Sequence, residues 1–141
     1  MIRSAFALLL LTTPAYAWEV TLGPVCTLSH ETEAVEVELT HDPAQPLYSI
    51  TLRRDAPWPN GPVFAMRFAD AVPIFITTDR HVLSEGGRAL TVTDRGFGNV
   101  LDGLQFNATA FALIDDQTIA IPLAGAAPAV AAFRECRAAA V

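Results

Sequence analysis

Residues 34–40 read "AVEVELT" and residues 47–54 read "LYSITLRR". In the first run Val35, Val37 and Leu39 point one way and Glu36 and Glu38 the other, the period of two that belongs to a strand with one buried face. The second run repeats the pattern with Tyr48, Ile50 and Leu52 on one side. Asp42-Pro43 and Gln45-Pro46 between them interrupt a ladder, so the two runs return on each other as adjacent strands through a polar loop. The acidic residues between Glu31 and Asp42 are then the solvated face of a strand.

The same alternation continues on the C-terminal side. "PWPNGP" at 57–62 cannot extend a sheet, whereas "VFAMRF" at 63–68 and "VPIFITT" at 72–78 supply two strands around an Asp70-Ala71 turn. Phe64, Met66 and Phe68 form one apolar face, Ile74 and Ile76 another. "SEGGRALTVTD" at 84–94 adds a Gly-Gly turn and a short strand with Leu90 and Val92 inward. "NATAFALIDDQTIAIPL" at 107–123 is a hairpin, with Phe111 and Leu113 on one arm, Ile119 and Ile121 on the other, and Asp115-Asp116 as its turn. "AAPAVAAFRECR" at 126–137 is helical: Pro128 suits the first turn, and Val130, Phe133 and Cys136 recur on one stripe. The expected fold is mainly β, an antiparallel β-sandwich or flattened barrel with a short C-terminal α-helix.

The first seventeen residues, "MIRSAFALLLLTTPAYA", carry one early charge, an apolar run over 5–11 and a small-x-small ending at Ala15-Tyr16-Ala17. This is the pattern of a cleaved signal peptide, and its apolar run falls well short of the roughly 20 residues that a spanning helix needs. Cleavage before Trp18 gives a periplasmic or secreted protein, with no stable membrane insertion, whose residues 18–141 form a single β-rich domain. All nine basic residues are arginine, the net charge is −6, and loss of Arg3 makes it one unit more negative. Nucleic acid and anionic lipid surfaces would repel such a chain. The two cysteines, Cys26 and Cys136, would both reach an oxidising compartment, where pairing is the default. A bridge over about a hundred residues constrains the unfolded chain by about 4.7 kcal/mol in the loop-entropy model.

Candidate functional residues gather in two echoing turns, "TTDRH" at 77–81 and "VTDRG" at 92–96. Aspartate starts turns by accepting backbone hydrogen bonds, which accounts for both copies. If the turns share one end of the sandwich, Arg80 and Arg95 offer two guanidinium forks to a carboxylate or phosphate, with Asp79, His81, Asp94 and Asn99 around them. The stretch "GFGNVLDG" at 96–103 is not a phosphate loop, since the chain contains no lysine and Leu101 stands where a dinucleotide fingerprint needs its third glycine. It reads as a corner: Asn99 caps a short helical turn, Gly103 ends it, Gly96 and Gly98 permit positive φ, and Phe97 and Leu104 reach the core.

Catalytic patterns are missing from the sequence. His30, His41 and His81 have no metal-ligand spacing and read as surface residues. No GxSxG elbow surrounds Ser29, Ser49 or Ser84. The "NAT" sequon at Asn107 falls in a strand pattern.

The segments "PVCTLSHET" at 24–32, "TTDRH", "TDRGFGNVLDGLQFNATA" at 93–110 and "LAGAAPAVAAFREC" at 123–136 together resemble a family of short secreted alphaproteobacterial proteins without an established function. Some members carry the label of an excinuclease ATPase, which these residues contradict, because that enzyme requires a phosphate loop and helicase motifs. More distantly, "IPLAGAAPAVAAF" at 121–133 is similar to the final strand and helix of the invasion-associated locus B family. That resemblance implies a periplasmic β-sandwich with an envelope role and carries over no catalytic residue.

The expectation is therefore a non-catalytic binding or interaction protein of the cell envelope, without cofactor or metal, whose partner is a protein or a small anionic ligand. One alternative is an inhibitor of a secreted hydrolase that inserts an exposed "APWPNGP" loop with Trp58 as anchor. A second is a small hydrolase or metal-binding protein, which would need Asp79, His81 and Asp94 in one pocket.

Overall fold

The computed structural model describes residues 18–137 together with Ala5 and Ala7; apart from those two alanines, the signal peptide expected over 1–17 lies outside the described residues. Ten strands form: β1 (Glu19–Thr21), β2 (Cys26–Glu31), β3 (Glu36–Asp42), β4 (Leu47–Arg53), β5 (Phe64–Ala69), β6 (Ile74–Thr78), β7 (Val82–Ser84), β8 (Ala89–Asp94), β9 (Thr109–Ile114) and β10 (Gln117–Pro122). Helix α1 (Gly98–Phe106) follows β8, and helix α2 (Ala126–Phe133) follows β10. The strands pair antiparallel in two sheets, ordered β1-β2-β3-β4-β8-β7 and β10-β9-β5-β6, in a sandwich-like arrangement. The mainly β fold with a short C-terminal helix is the one the alternation predicts.

Register explains how the larger sheet makes its half of the core. Leu28, Leu39, Ile50 and Val92 lie opposite one another across β2, β3, β4 and β8, and His30, Val37, Leu52 and Leu90 form the next row. Because side chains alternate along each strand, the rows are buried together across β2, β3 and β4, with Val92 half-buried at the β8 end of the first. Phe64, Met66 and Phe68 of β5 and Ile114 of β9 join the same cluster from the smaller sheet. The outer face of the larger sheet is polar: the Thr51 and Thr91 hydroxyls meet at 3.0 Å, and Arg53 reaches Glu36, Glu38 and Glu85.

Burial of the histidines corrects the surface reading for His30 and His41. Both are only 8% exposed, with His30 stacked on Trp18 at 4.5 Å and His41 on Tyr48 at 3.9 Å. Their parity is the reason, since His30 follows Cys26 and Leu28 on β2, and His41 follows Val37 and Leu39 on β3. Burial lowers the pKa of His41, partly opposed by the neighbouring Asp42 carboxylate. A histidine with a depressed pKa in the folded state is protonated more readily in the unfolded chain, so stability is full above about pH 6.5 and falls as pH drops below it. Denaturant midpoints between pH 7 and 5.5 should show this slope, and His41→Phe should flatten it. An equal slope in the variant would assign the effect elsewhere.

On β9 the period of two holds, and the small side chains are on the buried face. Ala110, Ala112 and Ile114 are buried, while Phe111 and Leu113 are half-buried and the Arg67 guanidinium lies 4.1 Å over the Phe111 ring. Helix α1 packs on β5, β6 and β9, so small side chains at 110 and 112 leave room for the β5 rings and the helix.

Helix α1 also departs from the expected corner. It runs nine residues, begins after Phe97 with no side-chain cap, and contains Gly103 instead of ending there. Gly103 is buried with its missing Cβ directed into the Phe68 ring. Positive φ occurs at Gly86, Gly87 and Gly125, and at Glu85 and Asp115, but not at Gly96 or Gly98. Gly103→Ala should therefore destabilise the protein by about 1–3 kcal/mol through overpacking, although alanine favours helix. Gly98→Ala, with open space at its Cβ, should stay within about 0.5 kcal/mol. Chemical denaturation of the two variants checks the contrast, and equal stabilities would refute it.

Asn107 closes α1 and is no strand residue. Its side-chain NH2 donates to the carbonyls of Val72 (2.8 Å) and Gly103 (3.1 Å), and its Oδ1 accepts from the Val72 amide at 2.8 Å, tying the helix end to the β5–β6 turn. At the C-terminus Val130, Phe133 and Cys136 face inward as the stripe predicts. Cys136 is bonded to Cys26 across 110 positions of chain.

Candidate functional site

Parity places charged groups at one end of the sandwich. On β8 the inward series Leu90, Val92 continues to Asp94, and on β6 the series Ile74, Ile76, Thr78 continues two residues further to Arg80. Between these strand ends the two sheets leave a cavity of about 450 Å³. Ile50 and Val92 of the larger sheet, Phe64, Met66 and Ile76 of the smaller sheet, and Phe97 and Val100 at the start of α1 line it. Arg80, Asp94 and Asn99 also line it.

The polar groups are open to solvent. The Arg80 guanidinium stands 3.6 Å from the Asp94 carboxylate, with side chains 74% and 49% exposed. At that separation and exposure the pair contributes little stability, and the guanidinium keeps donors for another acceptor. Asp94 Oδ1 accepts from the Arg95 amide at 2.7 Å, and Thr78 Oγ1 accepts from the Arg80 amide at 3.0 Å, which fixes both turns. The first turn of α1, which borders the cavity, has neither an acidic residue nor a side-chain cap. Its first amides therefore present a partial positive charge.

The two Thr-Asp-Arg turns meet, but through a cross-pair of Arg80 with Asp94 in place of two flanking arginines. Arg80, Asp94 and Asn99 are brought together at the cavity, whereas Asp79 and Arg95 are exposed residues outside its lining. Asn99 lies within α1 and does not cap it. His81 is half-buried, its Nε2 2.9 Å from the Gly61 carbonyl oxygen and its ring 6.2 Å from that of Phe64. Asp79, His81 and Asp94 thus do not form one pocket, and no group of three or more His, Cys, Asp or Glu side chains placed to hold a metal occurs among the described residues.

Trp58 is not an exposed anchor. It is 4% exposed, its Nε1 donates to the Leu52 carbonyl at 3.0 Å, and its backbone amide donates to Gly87 at 2.8 Å. The proline-rich segment is held against the larger sheet, and the Arg54 guanidinium covers the Trp58 ring at 4.3 Å. The inhibitor alternative thereby loses the side chain on which it rested.

Sequence reasoning found the rim and missed the walls. The signal was present, because the parity that turns the half-buried Val92 and Ile76 toward the core also aims Asp94, Thr78 and Arg80 at the same space. What the sequence does not contain is that β6 and β8, in different sheets, end side by side. Comparison of the chain with family models, curated proteins and solved structures finds no match, so the reading of the site rests on its own geometry.

Proposed function

We propose that the protein is a non-catalytic binding domain of the cell envelope that takes a small molecule into the cavity between its sheets. The observation that carries this reading is the cavity of about 450 Å³, whose lining combines apolar side chains from both sheets with the polar Thr77, Thr78, Arg80, Asp94 and Asn99. Its size falls in the range of about 300–1,000 Å³ typical of small-molecule sites, which combine apolar walls with a few orienting groups. The Cys26–Cys136 bond suits an oxidising compartment and agrees with the export signal read from the sequence. Among the described residues no helix is long and apolar enough to cross a membrane.

Titration of the oxidised protein with an environment-sensitive fluorophore such as anilinonaphthalene sulfonate tests the proposal. Saturable binding is expected, weakened about tenfold or more by Ile76→Trp, which fills the cavity from the half-buried β6 position. The variant's melting transition should remain cooperative. Absence of saturable binding, or identical binding by the folded variant, would refute the assignment.

A further inference from the structure

We infer that the ligand of this cavity is a single-chain amphiphile with a carboxylate head, its hydrocarbon chain between the sheets and its head at Arg80. The inference rests on the small-molecule reading above and adds the ligand's chemical class.

The chain is specified by the walls. Ile76 and Val92, both half-buried, offer aliphatic surface from the two sheets, and the buried Ile50, Met66, Phe64 and Phe97 pack directly behind them. An unbranched chain follows such an irregular lining readily. A group the size of a water molecule occupies roughly 30 Å³, so the volume accommodates a chain on the order of ten carbons.

The head is specified by the rim. Arg80 presents a planar fork, matched to two carboxylate oxygens, and its 3.6 Å approach to Asp94 is too long to be a hydrogen bond. The uncapped start of α1 adds a second source of positive potential. Asp94 lines the same cavity and opposes an anion, and the chain as a whole carries a net charge of −6. A head with one negative charge is therefore favoured over a doubly charged one. Asp94 also makes the inference testable by sign, because removing it should improve binding that removing Arg80 impairs.

Calorimetric titrations below micelle-forming concentration would compare hexanoate, octanoate, decanoate, decanol and decyltrimethylammonium. The proteins would be the wild type, Arg80→Gln and Asp94→Asn, each with its melting transition recorded. Decanoate should bind best, with affinity rising about two- to fourfold per methylene along the carboxylate series. Arg80→Gln should weaken decanoate about tenfold and leave decanol unchanged, whereas Asp94→Asn should tighten decanoate several-fold. Equal binding of decanol and decanoate, both indifferent to the two variants, would overturn the head assignment while leaving the cavity reading intact. Preference for the trimethylammonium compound, lost in Asp94→Asn, would overturn it in the opposite sense. Failure of every amphiphile and of the fluorophore would remove the cavity reading itself.

Discussion

Replacing Trp58 with alanine is expected to destabilise the protein by about 3–5 kcal/mol, the usual range for deleting a buried indole. Three features make this side chain structural. The ring is almost fully buried in the core cluster, its Nε1 donates to Leu52 in the middle of the larger sheet, and Arg54 covers its face. Truncation leaves a cavity, removes the hydrogen bond to the Leu52 carbonyl and loosens the proline-rich crossover between the sheets. Trp58→Phe separates the contributions: it keeps most of the apolar contact and removes the donor, so it should cost about 1–3 kcal/mol. Urea denaturation of the three proteins measures both differences. A Trp58→Ala variant as stable as the wild type would show that the crossover is not held by this residue and would restore it as a candidate for partner contact.

Removing the disulfide in a Cys26→Ala, Cys136→Ala variant should cost about 2–5 kcal/mol. The bond joins the first residue of β2 to the turn just beyond α2, 110 positions away, so its loss frees nearly the whole chain in the unfolded state. Its local effect falls on α2, which lies against β1, β2 and α1 through Val130 and Phe133. A helix of eight residues is marginal without tertiary support. Alanine replaces both sulfurs so that no lone thiol remains buried. Denaturation of the variant beside the oxidised wild type checks the prediction, and coincident midpoints would reject the clamp.

Much of the fold was legible because alternation survives wherever one face of a strand is buried. The runs at 35–39 and 48–52 gave β3 and β4 with the correct inward residues, and the Asp115-Asp116 turn gave the β9–β10 hairpin. Two kinds of information were missing. The first is which face is inward when both are apolar. On β9 the alternation of Phe111 and Leu113 with Ala110, Ala112 and Ile114 leaves the inward face open, because the packing of α1 and the cover from Arg67 are tertiary facts. The second is close approach, as at Gly103, where a glycine read as a helix stop is a helix interior position pressed on Phe68.

The candidate site divides along the same line. Arg80, Asp94 and Asn99 were recognisable as a polar group near turns, but their neighbourhood depends on β6 and β8 ending together in different sheets. His81 was drawn into the site by its place at the end of the Thr-Asp-Arg turn, and Trp58 by its place in the proline-rich loop. The histidine is turned to the Gly61 carbonyl twenty positions away, and the tryptophan is held by the Leu52 and Gly87 carbonyls under an arginine, contacts that no alternation pattern encodes.

The central claim is that the space between Ile76 and Val92 receives a ligand whose head meets Arg80. The most direct measurement is a methyl and arginine-side-chain NMR titration of the oxidised protein with decanoate. The account predicts saturable shifts at the methyl groups of Ile50, Met66, Ile76 and Val92 and at the Arg80 Nε–H, with the methyl groups of Leu28 and Val130 unmoved. Shifts confined to the opposite face of the smaller sheet, around the exposed Phe75, or no saturable shift at all, would contradict it.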